Sequence, residues 1–307
     1  MERKPIVRLQ NLTKVIGKKK IIDDLTLDLY PGQITGFLGP NGAGKTTTIR
    51  MMTGLMEPTS GEVFIEGKPI SENFEESMSK VGVIVENPEM YKYMSGYKNL
   101  VHFARMNKNI TKERIDEVIA QVGLQKRINE KVSTYSLGMR QRLGLAQAIL
   151  HKPKFLILDE PTNGLDPAGI REFRMYLRKI AVEQGVSIFV SSHLLAEIEL
   201  MCDRIAVIQN GKLLSIKEVN EQQKSHYYIE ASNQEKVVDF FNYKEITFES
   251  LGTGYVIPLN KEEVPAFVAE MITNDLQIYS VTPHRKTLED QFLEITGGGQ
   301  IAESRTK

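Results

Sequence analysis

The chain has 307 residues, of which 41% are hydrophobic and 25% charged, a composition that is typical of a folded globular protein and excludes a disordered or fibrous one. Lys plus Arg and Asp plus Glu each total 39, so no net charge draws the chain to nucleic acid. Neither a membrane-spanning stretch nor a signal-peptide apolar core is present, and the single cysteine, Cys202, fits a reducing cytosol, where we expect the chain to reside unless a partner holds it elsewhere.

The first elements along the chain are short strands within residues 6–38, separated by turn signals. The last of them, Gln33–Leu38, leads directly into a glycine-rich segment. Ile49, Met52 and Met56 then recur at helical spacing, so a helix is expected to begin near Lys45. The glycine-rich segment reads Gly39, Pro40, Asn41, Gly42, Ala43, Gly44, Lys45 and Thr46.

This segment fits the phosphate-loop pattern of a glycine, four residues and then Gly-Lys-Thr. Glycines let backbone N–H groups approach phosphates closely, and the helix N-terminus adds a partial positive charge. We expect Lys45 to reach the β- and γ-phosphates of ATP and the Thr46 hydroxyl to bind Mg²⁺. Because a strand precedes the segment and a helix follows it, a merely flexible glycine loop is a weak alternative.

From about residue 90 to 151 the pattern is helical, and Ser136 is placed as the N-cap of a helix that contains Leu143. Two apolar strands follow, Phe155–Leu158 and Ser187–Val190, with a helix-like segment between them. The order strand, helix, strand predicts a parallel core sheet with helices on its faces.

A polar stretch near residue 219 separates a large domain, residues 1–219, from a second unit, residues 220–307. In the second unit the pattern predicts a strand, a helix, two strands, a helix and a strand. Thr287 and Asp290 then open a last helix in the manner of a capping box. We therefore expect a small α/β accessory domain at this end.

Two further motifs supply chemistry to the phosphate loop. The strand Phe155–Leu158 delivers Asp159 to the carboxyl edge of the sheet, where it can hold Mg²⁺ directly or through water. Glu160, the next residue, can orient and polarise an attacking water. His193 follows the strand Val186–Val190 and would reach the same edge, so we favour a role near the γ-phosphate over a structural one.

Taken in order, these motifs resemble those of the ATP-binding subunit of an ABC transporter over about two thirds of the chain. Gly39–Thr46 resembles Walker A, and Phe155–Glu160 resembles Walker B with its catalytic glutamate. Tyr135–Met139 stands where the Leu-Ser-Gly-Gly-Gln signature belongs. Asn163–Asp166 is similar to the D-loop, and His193 to the switch histidine.

The resemblance implies an α/β fold of the P-loop NTPase class: an ABC-type nucleotide-binding domain with an N-terminal antiparallel β subdomain, a RecA-like core and a helical subdomain. It implies ATP and Mg²⁺ as cofactors, with catalytic roles for Glu160, His193 and Lys45. The implied metal contacts are Thr46, Asp159 and Glu86. The implied nucleotide contacts are Gly39 to Thr46 together with Thr47, Glu86, Ser136, Gly138 and Asp166.

The resemblance also implies partners. ATP would lie between the Walker A loop of one domain and the signature helix of a second, in a head-to-tail dimer of identical or paralogous chains. Opening of the dimer after hydrolysis would drive a separate transmembrane permease. The chain would then sit at the cytoplasmic face of a bacterial cell membrane.

Three departures from the usual family pattern narrow the subfamily. Leu137 replaces the first glycine of the signature, Glu86 replaces a glutamine, and Ile16 stands where an aromatic residue normally stacks on adenine. The glutamate and the altered signature resemble those of bacitracin-resistance and lantibiotic-immunity exporters. This likeness implies export of antimicrobial peptides or drugs.

Other functional classes fit less well. An ABC-type ATPase of DNA repair needs a long coiled-coil insertion, and residues 47–134 are too short for one and lack heptads. The surviving alternative is an ABC-type ATPase that acts as a soluble or regulatory nucleotide-dependent switch. That alternative predicts that Glu160→Gln leaves function intact.

Overall fold

The computed structural model describes residues 4–85, 88–107, 110–219 and 226–284. The chain divides into two compact units, Met1–Val219 and Asn220–Lys307. The predicted ligand Glu86 and the predicted capping box at Thr287 and Asp290 lie outside the described residues. Within the described ranges, no helix combines the length and the apolar character needed to cross a bilayer.

In the first unit, strands and helices alternate along most of the chain. Their order is β1 (Val7–Ile16), β2 (Lys19–Leu29), β3 (Ile34–Leu38), α1 (Lys45–Met52), β4 (Ser60–Ile65), β5 (Lys68–Pro69), α2 (Phe74–Met78), β6 (Val81–Ile84), α3 (Gly96–Ala104), α4 (Lys112–Gln121), α5 (Leu137–Ala148), β7 (Phe155–Asp159), α6 (Pro167–Gln184), β8 (Ser187–Ser192), α7 (Leu195–Met201), β9 (Arg204–Gln209) and β10 (Lys212–Glu218).

The N-terminal strands form an antiparallel sheet in the order β2-β1-β4-β5. Along the second half of β2, buried Leu25, Leu27 and Leu29 alternate with more exposed residues, which is the pattern of a strand with one face on a core. Val7 of β1 pairs with Leu29 on one side and with Ile65 on the other. This sheet is the predicted antiparallel β subdomain.

The central sheet has the order β10-β9-β3-β8-β7-β6, and all neighbours except β9 and β10 run parallel. Strands β3, β7 and β8 are buried throughout, as expected for strands covered on both faces. In the register of this sheet, Leu38 pairs with Ser192 and Asp159 pairs with Ser191. The loops after β3, β7 and β8 therefore leave the sheet at one edge.

Helices α3, α4 and α5 form the helical region, and a buried arginine ties two of them together. Arg114 of α4 donates from Nε to the carbonyl of Leu150 at 3.1 Å and from Nη2 to the carbonyl of Ile149 at 2.5 Å. These carbonyls follow the last turn of α5, where a cation is favourable because of the helix dipole. Arg114 thus caps the C-terminus of α5 from a neighbouring helix.

Over residues 226–284 the second unit has the element order that the sequence predicts. Its elements are β11 (His226–Ala231), α8 (Gln234–Tyr243), β12 (Glu249–Leu251), β13 (Gly254–Pro258), α9 (Val264–Thr273) and β14 (Ile278–His284). The strands pair antiparallel in the order β12-β13-β11-β14, which is the split β-α-β arrangement of ferredoxin-like domains. Its separate core includes Ile229, Phe241 and Met271.

Candidate nucleotide-binding site

The phosphate loop lies between β3 and α1, and its glycines meet steric requirements that other residues would not. A Cβ on Gly39 would lie 2.4 Å from the carbonyl oxygen of Ile208, and one on Gly44 would lie 2.4 Å from Cδ1 of Ile22. Gly44 also has φ 110, a conformation that L side chains rarely adopt. It is the N-cap of α1 and offers no side-chain capping bond, so the helix N-terminus is left to an anion.

Lys45 begins α1 and is buried. Its Nζ donates to the carbonyl oxygen of Gly39 at 2.8 Å and forms an ion pair with Oε1 of Glu160 at 3.2 Å. A buried ammonium needs such partners, because desolvation of an unpaired charge is costly. The side chain therefore stays within the loop, and in a phosphate loop this lysine is the residue that binds phosphate oxygens.

Asp159 ends β7 and is buried with two hydroxyl partners. Thr46 donates from Oγ1 to Oδ2 of Asp159 at 3.2 Å, and Ser191 donates from Oγ to Oδ1. Ser191 is a site residue that the sequence interpretation did not assign. Only its position at the end of an apolar strand, two residues before His193, hinted at it.

Glu160 stands between Lys45 and His193. Its Oε2 lies 2.8 Å from Nδ1 of His193, and its other carboxylate oxygen faces Lys45. The residue has φ 47, which costs a non-glycine residue ~1–2 kcal/mol. Its backbone N–H donates to Oγ of Ser191 at 3.0 Å, which helps to hold this conformation. The local backbone thus aims the carboxylate across the sheet edge toward the phosphate loop.

Thr46 and Asp159 provide a hydroxyl and a carboxylate side by side, which fits Mg²⁺. The described residues contain no group of three or more His, Cys, Asp and Glu that could hold a metal alone. Mg²⁺ characteristically uses one or two carboxylates and completes its shell with water and substrate phosphates. The donor set here is therefore that of a metal bound together with a nucleotide.

Ser136 and Gly138 lie in a different place, at the start of α5. Oγ of Ser136 accepts the N–H of Met139 at 3.2 Å, so the predicted N-cap is present. A cavity of about 360 Å³ is lined by both residues and by Asp166, among others. Asp166 is the N-cap of α6 and accepts the N–H of Gly169 at 2.9 Å. The residues of this second group line one cavity, whose lining includes none of the core-edge residues around Lys45.

Ile16 ends β1, pairs with Lys19 across the hairpin and is 51% exposed. Ile22, farther along the same hairpin, approaches Gly44 of the phosphate loop. The hairpin that carries Ile16 therefore stands beside the phosphate loop. Its side chain is aliphatic and offers no ring for stacking.

Comparison with known proteins gives consistent results. Residues 22–163 match the ABC transporter family. The chain is 52% identical to an ABC transporter ATP-binding protein of Bacillus subtilis, YhcH, over 96% of this chain and 97% of that protein. It is 39% identical to the bacitracin transport ATP-binding protein BcrA of Bacillus licheniformis, over 96% and 99% of the two chains.

A lantibiotic transport ATP-binding protein, SrtF of Streptococcus pyogenes, is 39% identical over 69% of this chain and 91% of its own. Among solved structures, an ATP-binding subunit of an ABC transporter is 26% identical, covers 70% of this chain and 91% of its own, and superposes with a TM-score of 0.63. These similarities confirm the predicted fold class.

Proposed function

The chain belongs to the ATP-binding proteins of ABC transporters, and from that premise we propose that it is the ATP-hydrolysing motor subunit of an exporter. One observation carries the proposal: Lys45, Thr46, Asp159, Glu160 and His193 converge on one edge of the core sheet. This group contains a phosphate-binding cation, a metal-binding pair and a carboxylate beside a histidine. A protein that only bound a nucleotide would need the first two and not the third.

Each residue of the group has a distinct part in this proposal. Lys45 and the N-terminus of α1 bind the β- and γ-phosphates. Thr46 and Asp159 would hold Mg²⁺, which would neutralise charge on the phosphate oxygens. Glu160 orients the attacking water, and His193 holds the carboxylate from its other side. Nζ of Lys45 lies 3.2 Å from Oε1 of Glu160. Phosphate oxygens that attract the ammonium would weaken this ion pair and so free the carboxylate to contact the attacking water.

The second group of residues completes the site in a partner chain. Ser136 and the N-terminus of α5 offer a hydroxyl and a helix dipole. The residues that line their cavity include none of the phosphate loop. We place these groups against the γ-phosphate bound by a second nucleotide-binding domain, from an identical or a paralogous chain. Glu86 and Ile16 would then modify metal binding and base selectivity respectively.

We propose antimicrobial peptides or drugs as the exported molecules. The relatives named for bacitracin and lantibiotic transport support this choice. Leu137 in the signature agrees with the same subfamily. A separate transmembrane permease would carry the cargo path and hold this chain at the cytoplasmic face of a bacterial membrane.

The test uses Glu160→Gln in the full chain with its native permease. The substitution keeps the shape of the side chain and removes its charge, so it should lower the rate of ATP hydrolysis by about 100-fold or more and leave ATP binding in place. Cells that carry the variant should become as sensitive to bacitracin-type peptides as cells without the gene.

Asp116→Asn, on the exposed side of α4, provides the matched control and should preserve hydrolysis and resistance. A regulatory switch that does not hydrolyse ATP would retain its function in Glu160→Gln, and that result would overturn the motor proposal. Lost hydrolysis with unchanged sensitivity to every peptide tested would reject the cargo and keep the motor.

A further inference from the structure

The start of α5 and the turn after Glu160 meet through two leucine–glycine contacts. A methyl group placed on Gly164 would lie 2.8 Å from Cδ2 of Leu137. One placed on Gly138 would lie 3.7 Å from Cδ2 of Leu165. Leu137 thus fills the space that Gly164 leaves free, whereas a methyl group on Gly138 would make only ordinary van der Waals contact with Leu165. Both leucines are partly buried.

The turn that Leu137 touches begins with Glu160. The N–H of Asn163 donates to the carbonyl of Glu160 at 3.2 Å, and the N–H of Leu165 donates to the carbonyl of Thr162 at 3.1 Å. Glu160 has φ 47, and a non-glycine residue persists in such a conformation only where its surroundings hold it. Ser191 holds the N–H of Glu160 on one side, and the turn holds its carbonyl on the other.

We propose that Leu137 is a positioning residue for Glu160. The inference rests on the proposed function, in which Glu160 orients the attacking water. By packing on Gly164, Leu137 fixes the turn of residues 160–165 against the first turn of α5, and the turn fixes the backbone from which the carboxylate projects. The leucine that replaces the first glycine of the signature would therefore contribute to hydrolysis by holding Glu160 in place.

A second contact joins α5 to α6, the helix that follows the turn, so we expect shortening of Leu137 to affect mainly the turn. Nη1 of Arg142 in α5 lies 3.4 Å from Oε2 of Glu172 in α6. This pair lies farther along both helices and does not involve the turn. Shortening Leu137 therefore loosens the turn while α5 and α6 keep their separate contact.

The first test needs no nucleotide and uses the full chain. Leu137→Ala should speed amide hydrogen exchange at Asn163 and Leu165 by roughly three- to ten-fold, because coupling between contacting side chains has that magnitude. Leu137→Met fills a volume similar to that of leucine and should keep exchange at both amides as slow as in the wild type. Leu200→Ala, at an exposed leucine of α7, is the control and should change neither amide.

The second test is the rate of ATP hydrolysis. In Leu137→Ala, kcat should fall by roughly three- to ten-fold while the half-saturating ATP concentration stays within about two-fold, because Lys45, the proposed phosphate-binding residue, lies outside the cavity that Leu137 lines. Leu137→Met should restore kcat. A purely structural role of Leu137 would lower the melting temperature without this division between kcat and half-saturation.

Unchanged exchange at Asn163 and Leu165 in Leu137→Ala would overturn the proposal. Exchange that accelerates equally throughout the first unit would also overturn it, since that pattern means general destabilisation. A wild-type chain that hydrolyses no ATP would instead reject the proposed function, and the exchange measurement alone would then decide whether Leu137 fixes the turn.

Discussion

The edge of the core sheet and the start of α5 differ in the groups that they would present to a nucleotide. At the sheet edge Lys45 and Asp159 are buried and Glu160 is half-buried. Each has a polar partner: Lys45 pairs with Glu160, Asp159 with Ser191 and Thr46, and Glu160 also with the exposed His193. The first turn of α5 offers a capping hydroxyl and backbone amides, and its residues line a cavity. The first region holds charges in fixed positions, whereas the second offers dipoles.

This difference sets the size of the effects that mutations should have. Removing one partner of a buried charge leaves the other unpaired, which costs several kcal/mol. Removing a cap costs ~1 kcal/mol, because solvent can replace part of what is lost. The sheet edge should therefore be sensitive to any single change, and the start of α5 should be sensitive mainly where it meets a nucleotide.

Lys45→Ala should have the largest effect. The variant loses the cation that we propose binds phosphate and leaves the carboxylate of Glu160 without its lysine partner. We expect ATP binding and hydrolysis to fall by about 100-fold or more, measured by a fluorescent ATP analogue and by phosphate release. Lys126→Ala, at an exposed lysine, is the matched control. Binding near the wild-type value in Lys45→Ala would show that the buried cation is structural only.

Ser136→Ala should have an intermediate effect, and the chain provides a closely matched comparison. Ser95 caps α3 as Ser136 caps α5, and each hydroxyl accepts a backbone N–H at 3.2 Å. Both substitutions should lower the free energy of unfolding by ~1 kcal/mol. Only Ser136→Ala should also slow hydrolysis, by about ten-fold, because only Ser136 lines the cavity assigned to a partner's nucleotide.

Thermal unfolding and ATPase rates of the two serine variants separate the roles. Equal loss of stability with equal ATPase rates would mean that Ser136 is a helix cap and nothing more. In that case the assignment of the α5 cavity to the partner's γ-phosphate would fail, while the assignment of the sheet edge would stand.

The residues of the sheet edge could be predicted from the sequence because each lies in a short motif next to a recognisable strand. A glycine-rich segment between a strand and a helix, and acids at the end of an apolar strand, both occupy the carboxyl edge of a parallel sheet. Ser191 could not be predicted, because its role depends on the register that pairs it with Asp159 on another strand. The contact of Leu137 with Gly164 could not be predicted either, because it depends on how the start of α5 packs against a turn that is distant in sequence.

Element prediction met a similar limit. In β11 the buried residues Tyr227, Ile229 and Ala231 alternate with less buried ones, so the strand is visible in the sequence. In β10 the side chains are exposed or half-buried throughout, so no apolar face marks Lys212–Glu218 as a strand. Only its pairing with β9 makes it one. The sheet order of the second unit likewise depends on pairings between distant segments.

The smallest effect concerns the link between the end of α5 and the core sheet. Nε2 of His151 lies 3.1 Å from the carbonyl oxygen of Val81 in β6. Burial lowers the pKa of His151 below its usual value of 6.5, so below that pH the unfolded chain binds more protons than the folded one. The free energy of unfolding should therefore be highest above about pH 6.5 and fall as the pH drops toward the folded-state pKa, by at most ~1.4 kcal/mol per pH unit.

His151→Gln keeps an amide donor for Val81 and should flatten this dependence in urea unfolding at about pH 7.5 and about pH 5.5. His102→Gln, in α3, controls for the loss of a histidine elsewhere, and parallel curves for wild type and His151→Gln would show that this link does not respond to acid.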